Sequence, residues 1–177
     1  ESYASMPNSY WKENHIQTLV DKFSEGQVLV KVDGKIAACA LSIIVDYNTL
    51  GDQHTYKQVT GNSTFNTHTD KGDYLYGIDV FVLPKYRGLR LGRRLYDYRK
   101  NLCEKLNLKG IMFGGRIPFY HKFANEMTPK QYIEKVKTKE ITLLFQNLNH
   151  SFVVYISQSY VQCYLHLRIY ANQRNSQ

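Results

Sequence analysis

Apolar and polar positions follow three rhythms along this chain. Ile16, Leu19, Val20 and Phe23 recur at i, i+3, i+4 and i+7, which predicts an amphipathic helix capped by Asn8 or Ser9 and ended by Gly26. Residues 27–32 alternate with a period of two, Asp33-Gly34 is a two-residue hairpin signal, and 35–45 is a longer apolar run. Those three features predict a strand, a tight turn and a more deeply buried strand. Residues 47–73 are polar and rich in Asn, Thr, Gly and His, without a sustained period. They predict a long loop with one helical turn, and loops of that length in compact domains are commonly functional.

Residues 74–83 predict a central strand, with Ile78, Val80 and Val82 on one face and Asp79, Phe81 and Leu83 on the other. Pro84 stops it. Apolar residues at 91, 95, 98, 102 and 106 then mark one stripe of a helix running from about 89 to 107. Gly110 resets the chain, Ile111-Met112-Phe113 is a short buried strand, and Gly114-Gly115 closes it. Short helices are expected over 118–123 and 129–136, and β-like runs near 141–146, 152–157 and 160–170. The strand at 74–83, its helix and the strand at 111–113 form a β-α-β unit, whose two strands should lie parallel with a right-handed crossover. With the hairpin ahead of it, the fold class is a three-layer α/β (α+β) arrangement around a mixed sheet. No repeat or linker interrupts residues 1–177, so one domain is expected.

Charge sharpens this picture. Between Lys85 and Lys109 lie nine Lys/Arg against Asp97 and Glu104, so one turn and one helix carry +7 of a net charge of +8. Such a field attracts a polyanion, either a phosphorylated cofactor or nucleic acid. The strand-to-helix passage runs Asp79-Val-Phe-Val-Leu-Pro-Lys-Tyr-Arg-Gly-Leu-Arg-Leu-Gly-Arg-Arg-Leu-Tyr96. A glycine-bearing turn that opens a helix leaves several backbone N–H groups unpaired and convergent, and the helix dipole adds to their attraction for phosphate oxygens. The backbone of Arg87, Gly88, Leu89, Arg90, Leu91 and Gly92 is therefore the expected diphosphate cradle. Arg87, Arg90 and Arg93 are placed to add charge-assisted contacts.

Three cysteines, Cys39, Cys103 and Cys163, have neither zinc-site nor disulfide spacing, so reduced thiols in the cytoplasm are expected. No signal peptide is visible, and the longest apolar run, 36–45, is too short to cross a bilayer. The chain opens on Glu1, as a fragment or a processed chain does. Fifteen tyrosines suggest a partly polar cleft or interface.

Val82-Leu83-Pro84-x-x-Arg87-Gly88-x-x-x-Gly92, after a strand and opening a basic helix, resembles the cofactor-binding motif of the GNAT family of N-acetyltransferases. The family turn reads Arg/Gln-x-x-Gly-x-Gly/Ala, and here Arg90 replaces the middle glycine. Residues 76–82, 87–96 and 114–118 are similar to the acetyltransferase domain that, in longer proteins, precedes a nitrilase-like carbon–nitrogen hydrolase domain. That resemblance covers about 9–140. It implies a first strand and helix that would lie before Glu1, and it leaves the segment after about 155 atypical.

The resemblance implies an N-acetyltransferase that takes acetyl-CoA as co-substrate, needs no metal, and passes the acetyl group to an amine by direct attack in a ternary complex. The strand before the turn would splay from its neighbour, with Phe81 and Val82 offering backbone groups to the cofactor and the Val82 N–H polarising the thioester carbonyl. Asp79, a carboxylate inside an apolar strand, is the candidate general base, directly or through a water. It serves equally as a structural partner for loop backbone or for Arg116. Tyr120 is the candidate acid for the departing thiolate, and packing is its alternative role. Arg116 would bind an acidic group of the acceptor or form a salt bridge. His54, His68 and His121, with Asp70 or Asp73, lack metal-ligand spacing and fit a surface or substrate loop better.

Two other classes stay open. One is an acyl-CoA-binding module without turnover. The other is a nucleic-acid-binding domain, disfavoured because the basic helix carries an apolar stripe and groove binding has no use for the glycine turn. The expected acceptor is a small-molecule or peptide amine, with no membrane partner; a homodimer and a C-terminal hydrolase domain in longer relatives stay open.

Overall fold

The computed structural model describes residues 11–51, 54–114, 120–138 and 140, together with the backbone of two later strands. A mixed sheet organises them. Its strands are β1 (Val28–Val32), β2 (Lys35–Val45), β3 (Tyr74–Val82), β4 (Gly110–Phe113), β5 (Val153–Ile156) and β6 (Leu165–Tyr170), in the order β1-β2-β3-β4-β6-β5. All pairings are antiparallel except β3 with β4, the two strands of the expected β-α-β unit. The β1–β2 turn is the one Asp33-Gly34 announces: both residues have positive φ, 50° and 74°, which matches the twist of a hairpin.

Helices cover both faces. On one side α1 (Glu13–Phe23) and the short α2 (Tyr47–Leu50) and α3 (Tyr56–Val59) cover a cluster containing Leu19, Val59, Phe65, Cys39, Leu41, Tyr76 and Ile78. On the other, α4 (Leu91–Lys105) packs Leu91 and Leu95 on Ala37, Ala38 and Ala40, and Leu102 on Leu75 and Ile111. A fifth helix, α5 (Pro129–Lys137), starts from a capping box in which Thr128 and Gln131 satisfy each other's backbone N–H groups.

Several sequence expectations need correction. The first helix begins at Glu13 with Lys12 at its N-cap, so Asn8 and Ser9, outside the described residues, do not cap it; it ends at Phe23, and a 3-10 turn carries the chain through Gly26. Segment 47–73 holds two helical turns rather than one. Asp46 caps α2 by accepting from Asn48 N, and Thr55 with Gln58 forms a capping box on α3. That segment is tied to the sheet: Thr69 N donates to Ile44 O, Asp73 N to Val45 O, and the Asp73 carboxylate accepts from Tyr47 N and Lys109 Nζ.

Strict alternation along β3 also fails. Leu41 pairs with Asp79 and Ser42 with Gly77, so Ile78 is an extra residue on β3. The bulge moves the later half of the strand by one step. Ile78 joins Tyr74, Tyr76 and Phe81 on the α1 side, while Val80 and Val82 pack towards α4.

The helix stripe differs at one position. Tyr98 is 42% exposed and donates to Glu25 O, whereas Arg99 points inward and is 1% exposed. Of the runs expected late in the chain, 141–146 lies outside the described residues. The runs near 152–157 and 160–170 contain β5 and β6.

Candidate active site

The chain leaves β3 through a 3-10 turn at Pro84–Tyr86, closed by Arg87 N donating to Pro84 O. Gly88 then takes φ +90°, and Arg90, the N-cap of α4, sits in the left-handed region at φ 56°, ψ 25°. No side chain caps the helix. The N–H groups of Leu91, Gly92 and Arg93 belong to the first turn, where no intrahelical acceptor exists. Those of Gly88, Leu89 and Arg90 donate to no backbone acceptor among the described residues. A Cβ built at Gly88 or Gly92 would meet no atom within 4 Å, so the backbone opens onto free space at both positions. Arg87, Arg90, Arg93 and Arg94 are exposed around it. These are the properties an anion cradle requires: uncapped donors, surrounding cations and room for the ligand.

Among the described residues, β4 pairs with β3 from Tyr74 to Gly77. Leu83 N donates to Ala37 O on the β2 side. In an antiparallel ladder the direction alternates, so Phe81 also turns its main chain to β2, while Val80 and Val82 turn theirs away from it. The N–H of Val80 donates to the neighbouring Asp79 Oδ1 at 2.8 Å. Val82 is therefore the residue whose amide faces the fork between β3 and β4.

Asp79 lies half-buried on the α1 side. Its Oδ2 accepts from the indole Nε1 of Trp11 at 2.9 Å, and Trp11 leans on Phe65 with ring centroids 5.7 Å apart. Cys39 is a buried free thiol, pushed up to about 11 by burial and by the Asp79 charge, with Arg99 opposing.

Behind the bulge lies Arg99. Its Nε donates to Ser42 Oγ at 3.0 Å, and its Nη2 donates to Leu41 O at 2.7 Å and Asp79 O at 2.8 Å. Burial pulls the guanidinium down from its usual range, and Tyr96 and Asp79 oppose that pull.

Tyr120 is placed differently from what its expected role asks. Its hydroxyl donates to Met127 O at 2.9 Å, and its ring meets Tyr132 edge-on at 5.6 Å. His68 accepts the Ile44 N–H on Nδ1 and stacks on Phe23, and His54 Nδ1 lies 2.6 Å from Gly51 O. Both serve the packing of segment 47–73. Arg116 and Cys163 lie outside the described residues, as does the start of the helix expected at 118–123.

Sequence reasoning missed Trp11 and Arg99. Nothing local marks Trp11, which reaches Asp79 across 68 positions. Arg99 had one signal: it stands four residues after Leu95 and three before Leu102, a core position as well spaced as Tyr98.

Residues 2–124 match the acetyltransferase (GNAT) family. Two proteins of Bacillus subtilis (strain 168) are similar in sequence. One, named "Probable hydrolase YhcX", is 38% identical over 154 residues, which are 85% of this chain and 30% of that protein. The other, named "Uncharacterized N-acetyltransferase YkwB", is 32% identical over 126 residues, 71% of this chain and 56% of that protein. The chain thus spans less than a third of the first relative's length and just over half of the second's. Among solved structures, the loading GNATL domain of CurA from Lyngbya majuscula superposes with a TM-score of 0.74 at 20% identity, covering 93% of this chain and 85% of that one. The GphF GNAT-like decarboxylase in complex with isobutyryl-CoA gives 0.66 at 13% identity, covering 93% and 88%. At these identities the likeness is one of fold.

Proposed function

The chain belongs to the acetyltransferase (GNAT) family, and from that premise we propose that it is an acyl-CoA-dependent N-acyltransferase, moving an acetyl group from acetyl-CoA to an amine. One observation carries the reading: the amides from Gly88 to Arg93 open an uncapped helix directly after β3, the strand whose described pairing with β4 ends at Gly77. A diphosphate fits the first feature and an extended amide-bearing arm the second.

The roles follow from this geometry. The amides of the 88–93 turn, with Arg87, Arg90 and Arg93, hold the diphosphate. The Val82 N–H faces the fork and serves as donor to the thioester carbonyl, where a single oriented donor contributes roughly 3 kcal/mol to the barrier. Asp79 receives the amine proton, directly or through a water, while Trp11 fixes its orientation. The amine nitrogen forms its bond to the carbonyl carbon, the carbon–sulfur bond breaks, and its electron pair leaves on sulfur as thiolate. For Tyr120 the Met127 hydrogen bond supports a packing role, because a proton donated there must be released before it can reach sulfur.

The acceptor is a small-molecule or peptide amine that approaches from the α1 side, where Asp79 lies. Cys39 and Cys103, buried and free, support a reducing compartment such as the cytoplasm. The share of the first relative that is matched, and its name, support a place for this domain beside a hydrolase domain in longer relatives.

Calorimetric titration with acetyl-CoA, followed by thiol release across a panel of amines, tests the reading. Binding with turnover for at least one amine is expected. Binding without turnover for any amine would instead indicate an acyl-CoA-binding module. No binding at millimolar cofactor would remove both, and a steep salt dependence of affinity for duplex or RNA would favour nucleic acid.

A further inference from the structure

We infer that Arg99 is a positioning residue for the proposed transfer: its guanidinium holds the bulge in β3 that decides which way Asp79 and the Val82 amide face. The word transfer rests on the functional reading above; the positioning itself rests on geometry alone.

A bulge leaves its extra residue, here Ile78, outside the ladder and disrupts the pairing on either side of it. The skipped register lies between Leu41 and Ser42, opposite Asp79 and Gly77. All three acceptors of Arg99 are at this site: Leu41 O, Asp79 O and Ser42 Oγ. Water has little access to replace it, since Arg99 is 1% exposed. The guanidinium lies on Gly77, where a Cβ would stand 2.8 Å from Nη1 and 3.1 Å from Cζ. Strand, partner strand and helix are thus each shaped around one planar cation.

Stability alone does not account for this choice. A guanidinium among neutral acceptors carries a desolvation penalty that an aliphatic side chain in the same stripe would avoid. What the cation adds is a fixed phase. Without the extra residue, the part of β3 after Gly77 would shift by one, and a shift of one reverses the facing of every side chain and amide beyond it. Asp79 would then turn towards α4 and the Val82 N–H towards β2. Lysine does not reproduce this, because its single ammonium cannot stand both where Nε meets Ser42 Oγ and where Nη2 meets the carbonyls of Leu41 and Asp79.

Trp11 makes the inference measurable without any acceptor. It is the single tryptophan of the chain, so its indole N–H gives one signal in a nitrogen–proton correlation spectrum, and that N–H donates to Asp79. The experiment records this signal for the wild type, for Asp79→Ala as the reference for a lost bond, and for Arg99→Lys and Gly77→Ala. It pairs each spectrum with the Kd for acetyl-CoA. The expected result is a dispersed spectrum in which the indole signal of both test variants moves to the Asp79→Ala position and the Kd for acetyl-CoA rises several-fold, because the Val82 amide turns away together with Asp79. An indole signal unmoved in either folded variant overturns the inference. Loss of the folded state in both variants also overturns it, because Arg99 would then hold the core rather than the phase of β3. Failure of the acyltransferase reading would show separately, as absent acetyl-CoA binding by the wild type.

Discussion

The indole Nε1 of Trp11 donates to the Asp79 carboxylate at 2.9 Å, joining the residues just before α1 to the middle of β3. With Val80 N on the other oxygen, both carboxylate oxygens accept from named donors, and the group is held in one orientation. A base aimed in this way acts at lower entropic cost than one free to rotate.

Asp79→Asn keeps the shape and removes the proposed base. Thiol release with the best amine of a panel should fall about 10²–10⁴-fold, while acetyl-CoA affinity measured by calorimetry stays close to wild type. Trp11→Phe keeps packing on Phe65 but deletes the donor, and a smaller loss, about tenfold in kcat, is expected.

Arg90 occupies the left-handed conformation that a middle glycine would adopt without strain. Arg90→Gly should therefore stabilise the protein by about 0.5–1 kcal/mol, read as a higher urea midpoint. The same change removes a cation from the cradle and should weaken acetyl-CoA binding several-fold, less so at high salt. Arg90→Ala retains the strain and should show the weaker binding without the gain.

Gly92→Ala separates folding from binding. Among the described residues, beyond its own helix turn, no atom lies within 4 Å of the added Cβ, and alanine favours helix by up to about 1 kcal/mol, so the melting temperature should hold or rise. The methyl enters the space the diphosphate needs, and the Kd for acetyl-CoA should rise by about tenfold or more. Equal affinity in this variant would place the cofactor elsewhere.

Two buried thiols set an alkaline limit. Cys39 and Cys103 are both raised from 9.0 to about 11 by burial first, with Asp79 and Glu104 respectively adding to it. A thiol that ionises later in the folded chain than in the unfolded one costs nothing below pH 9. Stability is then lost as pH rises from 9 towards 11, by up to roughly 2 kcal/mol per thiol. Urea midpoints measured at pH 8 and pH 10.5 should show the drop, and Cys39→Ala should reduce it.

Legibility from sequence followed the range of the interaction. The Asp33-Gly34 turn and the β-α-β unit depend on neighbours in the chain, and local pattern announced both. The Thr55–Gln58 capping box was equally local, but it stood in a polar segment without periodicity. The bulge at Ile78 was not legible, because it answers to Ser42 and Arg99 across the sheet and not to residues beside it. Tyr98 and Arg99 fit the helix stripe about equally well by spacing. Hydrophobicity favoured Tyr98, and three buried oxygens decided for Arg99. The uncapped turn at 88–93 was legible as turn chemistry, whereas the point at which β3 and β4 stop pairing required the sheet register.

The seat of Arg99 on Gly77 also bears on descent. A methyl at position 77 would press on the guanidinium, and an aliphatic at position 99 would take a donor from the oxygens of Leu41 and Asp79. The two positions are therefore expected to change together. On the positioning inference, a lineage that lost the arginine would give up the carboxylate's present aim, which makes the pair a marker for telling descendants that kept the proposed chemistry from those that abandoned it.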